Sequence, residues 1–203
     1  MLSIDDLLRE FGADRKNVEY IQDLYQMTKF HTRCDMPFVA GGYWVRTLLN
    51  ENIHEGDIDF FPYGENHSQT KNFAQYFGQD MDPSKNLKFE FDDMNYQIMG
   101  RWANCGFFIS EQLITFNTYI EMIGFNHITD QFVIHKETID CLKNRRFFFN
   151  TASTNRSHPL SVMKRLQKMV KRGFTVTDED MQNMAKYIAD RKNQLKTKSN
   201  YDF

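Results

Sequence analysis

The stretch FVAGGYWVRTLLNENIHEGDIDFFP, residues 38–62, gathers a glycine pair, an arginine and two aspartates. Asp57 and Asp59 alternate with Ile58 and Phe60, so they read as a strand with both carboxylates on one face. Oxygens paired in this way can share hard divalent cations, Mg2+ or Mn2+. Two such ions can activate an attacking hydroxyl and stabilise a leaving pyrophosphate. An isolated Asp-x-Asp pair is most often a surface or turn feature. Here Ile58, Phe60 and Phe61 flank it, and two like charges in an apolar strand are costly without a compensating cation. Gly41 and Gly42 stand between an apolar run and a helical pattern of Trp44, Val45, Leu48 and Leu49. Glycines there let the backbone approach a ligand beside a helix start that favours anions, although a plain tight turn uses them as well. Arg46, four residues past Gly42, is placed to meet a phosphate or to pair with an aspartate.

The charge distribution offers a partner for that chemistry. The 203-residue chain carries a net charge of −2. Residues 1–140 hold 22 acids and 11 bases, whereas residues 141–203 hold 5 acids and 14 bases. From Cys141 to Phe174 there are nine Lys or Arg and no acid. The segment reads either as a solvated helix face or as a surface for phosphates and RNA. In residues 158–172, Val162, Met163, Leu166, Met169 and Val170 line one side, and Lys164, Arg165, Lys168, Lys171 and Arg172 the other. Three scattered cysteines, Cys34, Cys105 and Cys141, have no zinc or CxxC spacing and read as reduced thiols. The six histidines show no ligand spacing, and Trp44, Trp102 and the methionines read as packing residues. No run of about 18 apolar residues is present to span a membrane, and the acidic N-terminal pattern is not a secretory signal. A cytoplasmic protein is expected.

The elements that must position these groups follow an α+β order. Helices are expected over 3–11, capped by Ser3 and ended by Gly12, and over 14–30. A strand, the glycine break, a short helix and the Asp57–Asp59 strand follow, closed by Pro62 and Gly64. Then come a helix near 68–78 and a hairpin through LKFEFDDMNYQIMG, turned around Asp92, Asp93 or Asn95. A short helix and a strand are expected within 110–126, and a helix over 137–144. NTASTNRS reads as a polar linker, followed by helices over 158–172 and 178–197, the second capped near Thr177. The expected division is residues 1–150 as a mixed sheet flanked by helices and 151–203 as a small basic helical subdomain.

Strand, GG, helix and Asp-x-Asp strand in this close order resemble the nucleotidyltransferase fold. AGGYWVRTLL…GDIDFF is similar to the head of class II CCA-adding enzymes and bacterial poly(A) polymerases, whose signature is GGxVRD followed by a DxD strand. Gly41, Gly42, Val45, Arg46, Asp57 and Asp59 match, and Thr47 stands where the family usually has an acid. TFNTYIEMIGFN resembles the family's RRDFTxNALAYD segment, which helps hold the nucleotide. There Asn117 replaces the aspartate, Thr115 and Phe116 the two arginines, and Glu121 the asparagine. HPLSVMKRLQKMVKRGF resembles the DPxRxLRxxRF helix that reads base and phosphates, with Arg165 the best-placed arginine, His158 at the acid and Ser161 at the first arginine. For a third carboxylate, strand position offers Gln97, with Glu90 as the fallback acid.

The resemblance implies a metal-dependent nucleotidyltransferase using Mg2+ or Mn2+ and ATP or CTP. Asp57 and Asp59 would be its metal-binding catalytic residues. Gly41, Gly42, Arg46, Asn117, Arg165 and Lys168 would bind nucleotide, and Arg172 would add positive charge. RNA or tRNA could meet the basic 141–174 segment. Relatives carry long helical regions beyond the head to hold tRNA, so a complete CCA-adding enzyme is not expected. The small size and altered nucleotide-reading segments suit a phage or other mobile-element protein, acting then in the host cytoplasm. The rival reading is a degenerate domain that binds nucleotide or RNA without catalysis. A third is a structural protein in which GG and DxD coincide by chance.

Overall fold

In the computed structural model, which describes residues 3–32, 38–61, 67–82, 85–100, 109–127, 129–153 and 158–199, the helix signals act where they are written. Helix α1 (Ile4–Phe11) starts at Ser3, whose side chain accepts from the Asp6 amide, and ends at Gly12 with φ +62°. Helix α2 (Lys16–Thr32) follows. Leu7, Leu8, Val18, Ile21, Leu24 and Tyr25 from the two are buried. Strand β1 (Phe38–Ala40) stops at Gly41, whose φ of +80° bends the chain into α3 (Gly42–Leu48). A 3-10 turn (Ile53–Glu55) leads to β2 (Ile58–Phe61) and α4 (His67–Tyr76). Strands β3 (Asn86–Phe91) and β4 (Met94–Met99) form the expected hairpin. Asp92 and Asp93 both have positive φ, which a two-residue turn of this hand requires.

The remaining elements are α5 (Ile109–Leu113), a second 3-10 turn (Tyr119–Glu121), β5 (Ile123–Asn126), β6 (Gln131–Ile134) and α6 (Lys136–Lys143). The chain closes with α7 (Pro159–Lys171) and α8 (Asp178–Ser199). His158 caps α7 by accepting from the Leu160 amide, with Pro159 in the first turn. Thr177 accepts from the Asp180 amide at the start of α8. Strand β6 is absent from the sequence reading, because four residues are too few to display alternation.

The six strands form one mixed sheet in the order β3-β4-β2-β1-β5-β6. Among the described strands only β2 and β4 pair in parallel, and α4 and β3 lie in the connection between them. One face sends Val39, Ile58, Phe60, Tyr96, Ile98, Phe125 and Phe132 into the main core. Val162, Leu166, Met169, Phe174 and Met184 join that same core, so the C-terminal helices pack against the sheet domain directly. The other face carries a smaller cluster of Phe38, Ala40, Phe61, Ile109, Leu113, Phe116 and Met122.

One register row crosses this second face: Lys88, Gln97, Asp59, Ala40, Gly124 and Val133. Its far end lies under α5, where a Cβ on Gly124 would sit 2.9 Å from Ile109. Its near end is polar and holds Asp59. Cys141 is a buried free thiol, pushed up to about 12 by desolvation. No described helix is long and apolar enough to cross a membrane. Cys34, Cys105, Trp102, Pro62, Gly64 and the end of the polar linker lie outside the described residues.

Candidate active site

Asp59 sits in the middle of the sheet's register, between Ala40 of β1 and Gln97 of β4. Asp57 lies just ahead of β2 with its side chain 31% exposed and bonded to the Lys88 ammonium. Loss of water around Asp59, then the charges of Asp57 and Glu121, push its carboxyl up to about 7. Lys88 and Arg165 oppose that shift but do not cancel it. Burial and the neighbouring acids thus leave the Asp59 carboxylate incompletely compensated.

Arg46 supports the aspartates from behind. It is 3% exposed, and its Nη2 donates to the Asp57 main-chain carbonyl at 3.0 Å. The guanidinium takes neither alternative read from the sequence, since it holds the backbone that presents Asp57 rather than a carboxylate. A Cβ on Gly56 would lie 2.8 Å from its Cζ, and one on Gly42 would lie 3.3 Å from Nη1. Gly42 and Gly56 thus open the slot in which Arg46 lies. Gly56 is missed by the sequence reading, because its value depends on an arginine ten residues earlier. The Gly41 amide is spent on the Ile123 carbonyl at 2.8 Å. First-turn amides such as those of Gly42 and Tyr43 have no acceptor within a helix.

A second bank of charge comes from α7. Arg165 Nε lies 3.0 Å from Glu121 Oε2, on the turn that leads into β5. Glu121 is 14% exposed and acts on Asp59, Arg46 and Lys168 through space. Desolvation, followed by Arg46 and Arg172, holds the Lys168 ammonium below its usual range. Arg172 Nε donates to Glu51 Oε2 at 2.8 Å, and Arg145 Nη1 to Glu51 Oε1 at 2.9 Å. Glu51 in turn donates its amide to the Arg46 carbonyl at 2.9 Å. The end of α7 is thereby tied to the helix carrying Arg46. Glu121 is the acid that sequence reasoning missed: the family pattern has an amide there, and only the fold brings that turn beside β2.

The structure brings Asp57, Asp59, Arg46, Arg165, Lys168 and Arg172 together. Gln97 stands next to Asp59 as the strand position implied. Glu90 is exposed and in register with Asn95, off the Asp59 row. Asn117 is fully buried, with its amide donated to Ser153 at 3.2 Å and its Oδ1 without a partner among the described residues. Phe116, at a position the resemblance gives to an arginine, packs on Phe61 and under Gly41. Much of the basic segment is internally neutralised: Lys143 pairs with Glu10, Arg145 and Arg172 with Glu51, and Arg165 with Glu121.

Among the described residues, no group of three or more His, Cys, Asp or Glu side chains is placed to hold a metal ion. Glu121 is engaged by Arg165 and does not complete such a set. Mg2+, however, is ordinarily held by one or two carboxylates together with substrate phosphates. Asp57 beside an incompletely compensated Asp59 fits an ion that arrives with a polyphosphate.

Solved structures to which the chain is similar include CCA-adding and tRNA-processing enzymes. A CCA-adding enzyme with ATP matches with a TM-score of 0.61 at 14% identity, over 93% of this chain and 46% of that one. The Thermotoga maritima CCA-adding enzyme complexed with tRNA matches with a TM-score of 0.56 at 16% identity, over 93% and 46%. A tRNA nucleotidyltransferase with a primer tRNA and an incoming ATP analog matches at 0.54 and 14%, over 76% and 47%. The fold is that of a nucleotidyltransferase. The chain spans less than half the length of these nucleotidyltransferases. No family profile and no curated protein matches the sequence.

Two outcomes are expected from the site's packing and charge. Gly56→Ala forces Arg46 out of its slot and is expected to lower stability by about 1–3 kcal/mol, read as the urea midpoint; an unchanged midpoint contradicts the close approach. Asp59 titrates near 7 in the fold against a usual value of 3.8. The folded protein thus holds a proton between those values that the unfolded chain has released. Its stabilising contribution is fully present below 3.8 and is lost as pH rises through about 7. Thermal melts in chelator, comparing wild type with Asp59→Asn, should show the wild type losing ground from pH 4 to pH 8. A difference constant with pH contradicts it.

Proposed function

We propose that the chain is a metal-dependent nucleotidyltransferase. It transfers a nucleoside monophosphate from ATP or CTP to an acceptor hydroxyl, an RNA 3′ end, and releases pyrophosphate. The observation that carries this reading is the placement of Asp57 and Asp59 against the Arg165–Lys168–Arg172 side of α7, on this fold. Asp57 and Asp59 would hold the divalent cation. Bound there, Mg2+ or Mn2+ supplies charge to the reacting phosphate and lowers the pKa of the attacking hydroxyl.

The chain's own residues do the positioning. Arg46 fixes the Asp57 backbone so that the two carboxylates keep their spacing. Gly41, with φ +80°, turns the chain tightly from β1 into α3 beside the two aspartates. Lys168 and Arg165 bring positive charge toward the departing pyrophosphate, and Glu51 keeps Arg172 and the end of α7 in place. Such a site works by orientation and charge neutralisation rather than by a covalent intermediate. A similar tRNA-processing enzyme solved with CTP and a CCA-adding enzyme solved with ATP support those nucleotides as substrates. A primer tRNA and a tRNA in others support an RNA acceptor. Lys164 and Lys171 are exposed and suit its backbone.

A second reading, a domain that binds nucleotide without catalysis, is favoured by one observation. The Lys88 ammonium already sits on Asp57, doing part of a cation's work. A transfer assay separates the two. Labelled ATP or CTP, Mg2+ or Mn2+ and total RNA are offered to wild type and to Asp57→Ala/Asp59→Ala. Label entering RNA, reduced more than about a hundredfold in the variant, is the expected result. Metal-dependent nucleotide binding without transfer points to the second reading, and neither binding nor transfer overturns the site.

A further inference from the structure

Lys88 belongs to β3, the edge strand of the sheet, two strands away from Asp59. Lys88 pairs in register with Gln97, and Gln97 with Asp59, so all three stand on one face. Strands about 4.8 Å apart set the Lys88 and Asp59 backbones roughly 10 Å from each other. To bond Asp57 Oδ2, the Lys88 side chain must extend across β4 toward the site. It does so although it is 63% exposed and free to point into water. The carboxylate it seeks is the one whose oxygens a divalent cation needs.

We propose that Lys88 is a resident counter-ion for Asp57, which yields the carboxylate to an incoming divalent cation and then meets the phosphate that arrives with it. The inference rests on the nucleotidyltransferase reading. Without metal, the ammonium limits the repulsion between two acids only two residues apart. It occupies Asp57 Oδ2, so cation binding must first break this pair. Once released, the ammonium stays on the Asp59 face, tethered by β3, within reach of an anion that accompanies the metal. An ion pair this exposed is weak and exchanges readily, as such a hand-over requires. The two roles have opposite signs: Lys88 opposes the bare cation and favours the metal–nucleotide complex. A merely structural surface pair has neither effect.

The test uses the full chain and two probes, Mn2+ alone and ATP at saturating Mn2+. Free Mn2+ is read by electron paramagnetic resonance and ATP binding by calorimetry. Lys88→Met is expected to bind Mn2+ about three- to tenfold more tightly and ATP about three- to tenfold more weakly, the range an exposed charge contact spans. Lys88→Arg, which keeps the charge, is expected to restore both affinities to within about twofold of wild type. Unchanged or weaker Mn2+ binding in Lys88→Met, with wild type still binding Mn2+, overturns the counter-ion role alone. Unchanged ATP binding overturns the phosphate role. If Mn2+ binds Asp57→Ala as well as wild type, the two-aspartate reading falls and the Lys88 proposal falls with it.

Discussion

Three acids act on one another around the central strand β2. Asp57 and Asp59 emerge two residues apart, and Glu121 acts on Asp59 from the turn before β5. Carboxylates so close, partly shielded from water, destabilise one another unless cations stand beside them. The rest of the site follows from that constraint. Lys88 takes Asp57, Arg165 takes Glu121, and Arg46 and Lys168 lie within electrostatic reach of Asp59. Even so, Asp59 keeps a carboxyl that prefers its proton up to about 7. The chain supplies enough positive charge to fold around the acids and leaves room for more.

Holding these charges in place takes most of the local architecture. A buried guanidinium must have its space kept open, and Gly42 and Gly56 do this for Arg46. Helix α7 must carry its cations to the site without drifting. Its apolar side, Val162, Leu166 and Met169, enters the main core. Its end is gripped by Glu51, which holds two arginines at once. Sequence distance hides this link, since Glu51 and Arg172 are 121 residues apart.

What could be read from the sequence was local. Ser3, Gly12, the Asp92–Asp93 turn and the glycine pair each state their geometry within a few residues. Residue types and spacing pointed to Asp57 and Asp59 as a pair, and the α7 pattern, with the family resemblance, pointed to Arg165 and Lys168. What escaped was pairing across the fold. Glu121 looked like a departure from a family pattern, yet it is the acid that engages Arg165. Arg46 could be placed near the aspartates but not onto a backbone carbonyl. Lys88 carried no signal, because its meaning comes from a strand register. The basic segment read as free positive charge, whereas four of its members are paired with three acids within the chain.

The incompletely compensated Asp59 carboxylate beside Asp57 is the centre of this molecule, and diffraction can look at it directly. Crystals grown with Mn2+ and CTP or ATP, with data collected at the manganese edge, would locate the ion. An anomalous peak within bonding distance of both Asp57 and Asp59, with phosphate oxygens between it and Lys168, is the expected result. Nucleotide bound elsewhere, or no peak at the two aspartates under saturating Mn2+, would contradict it.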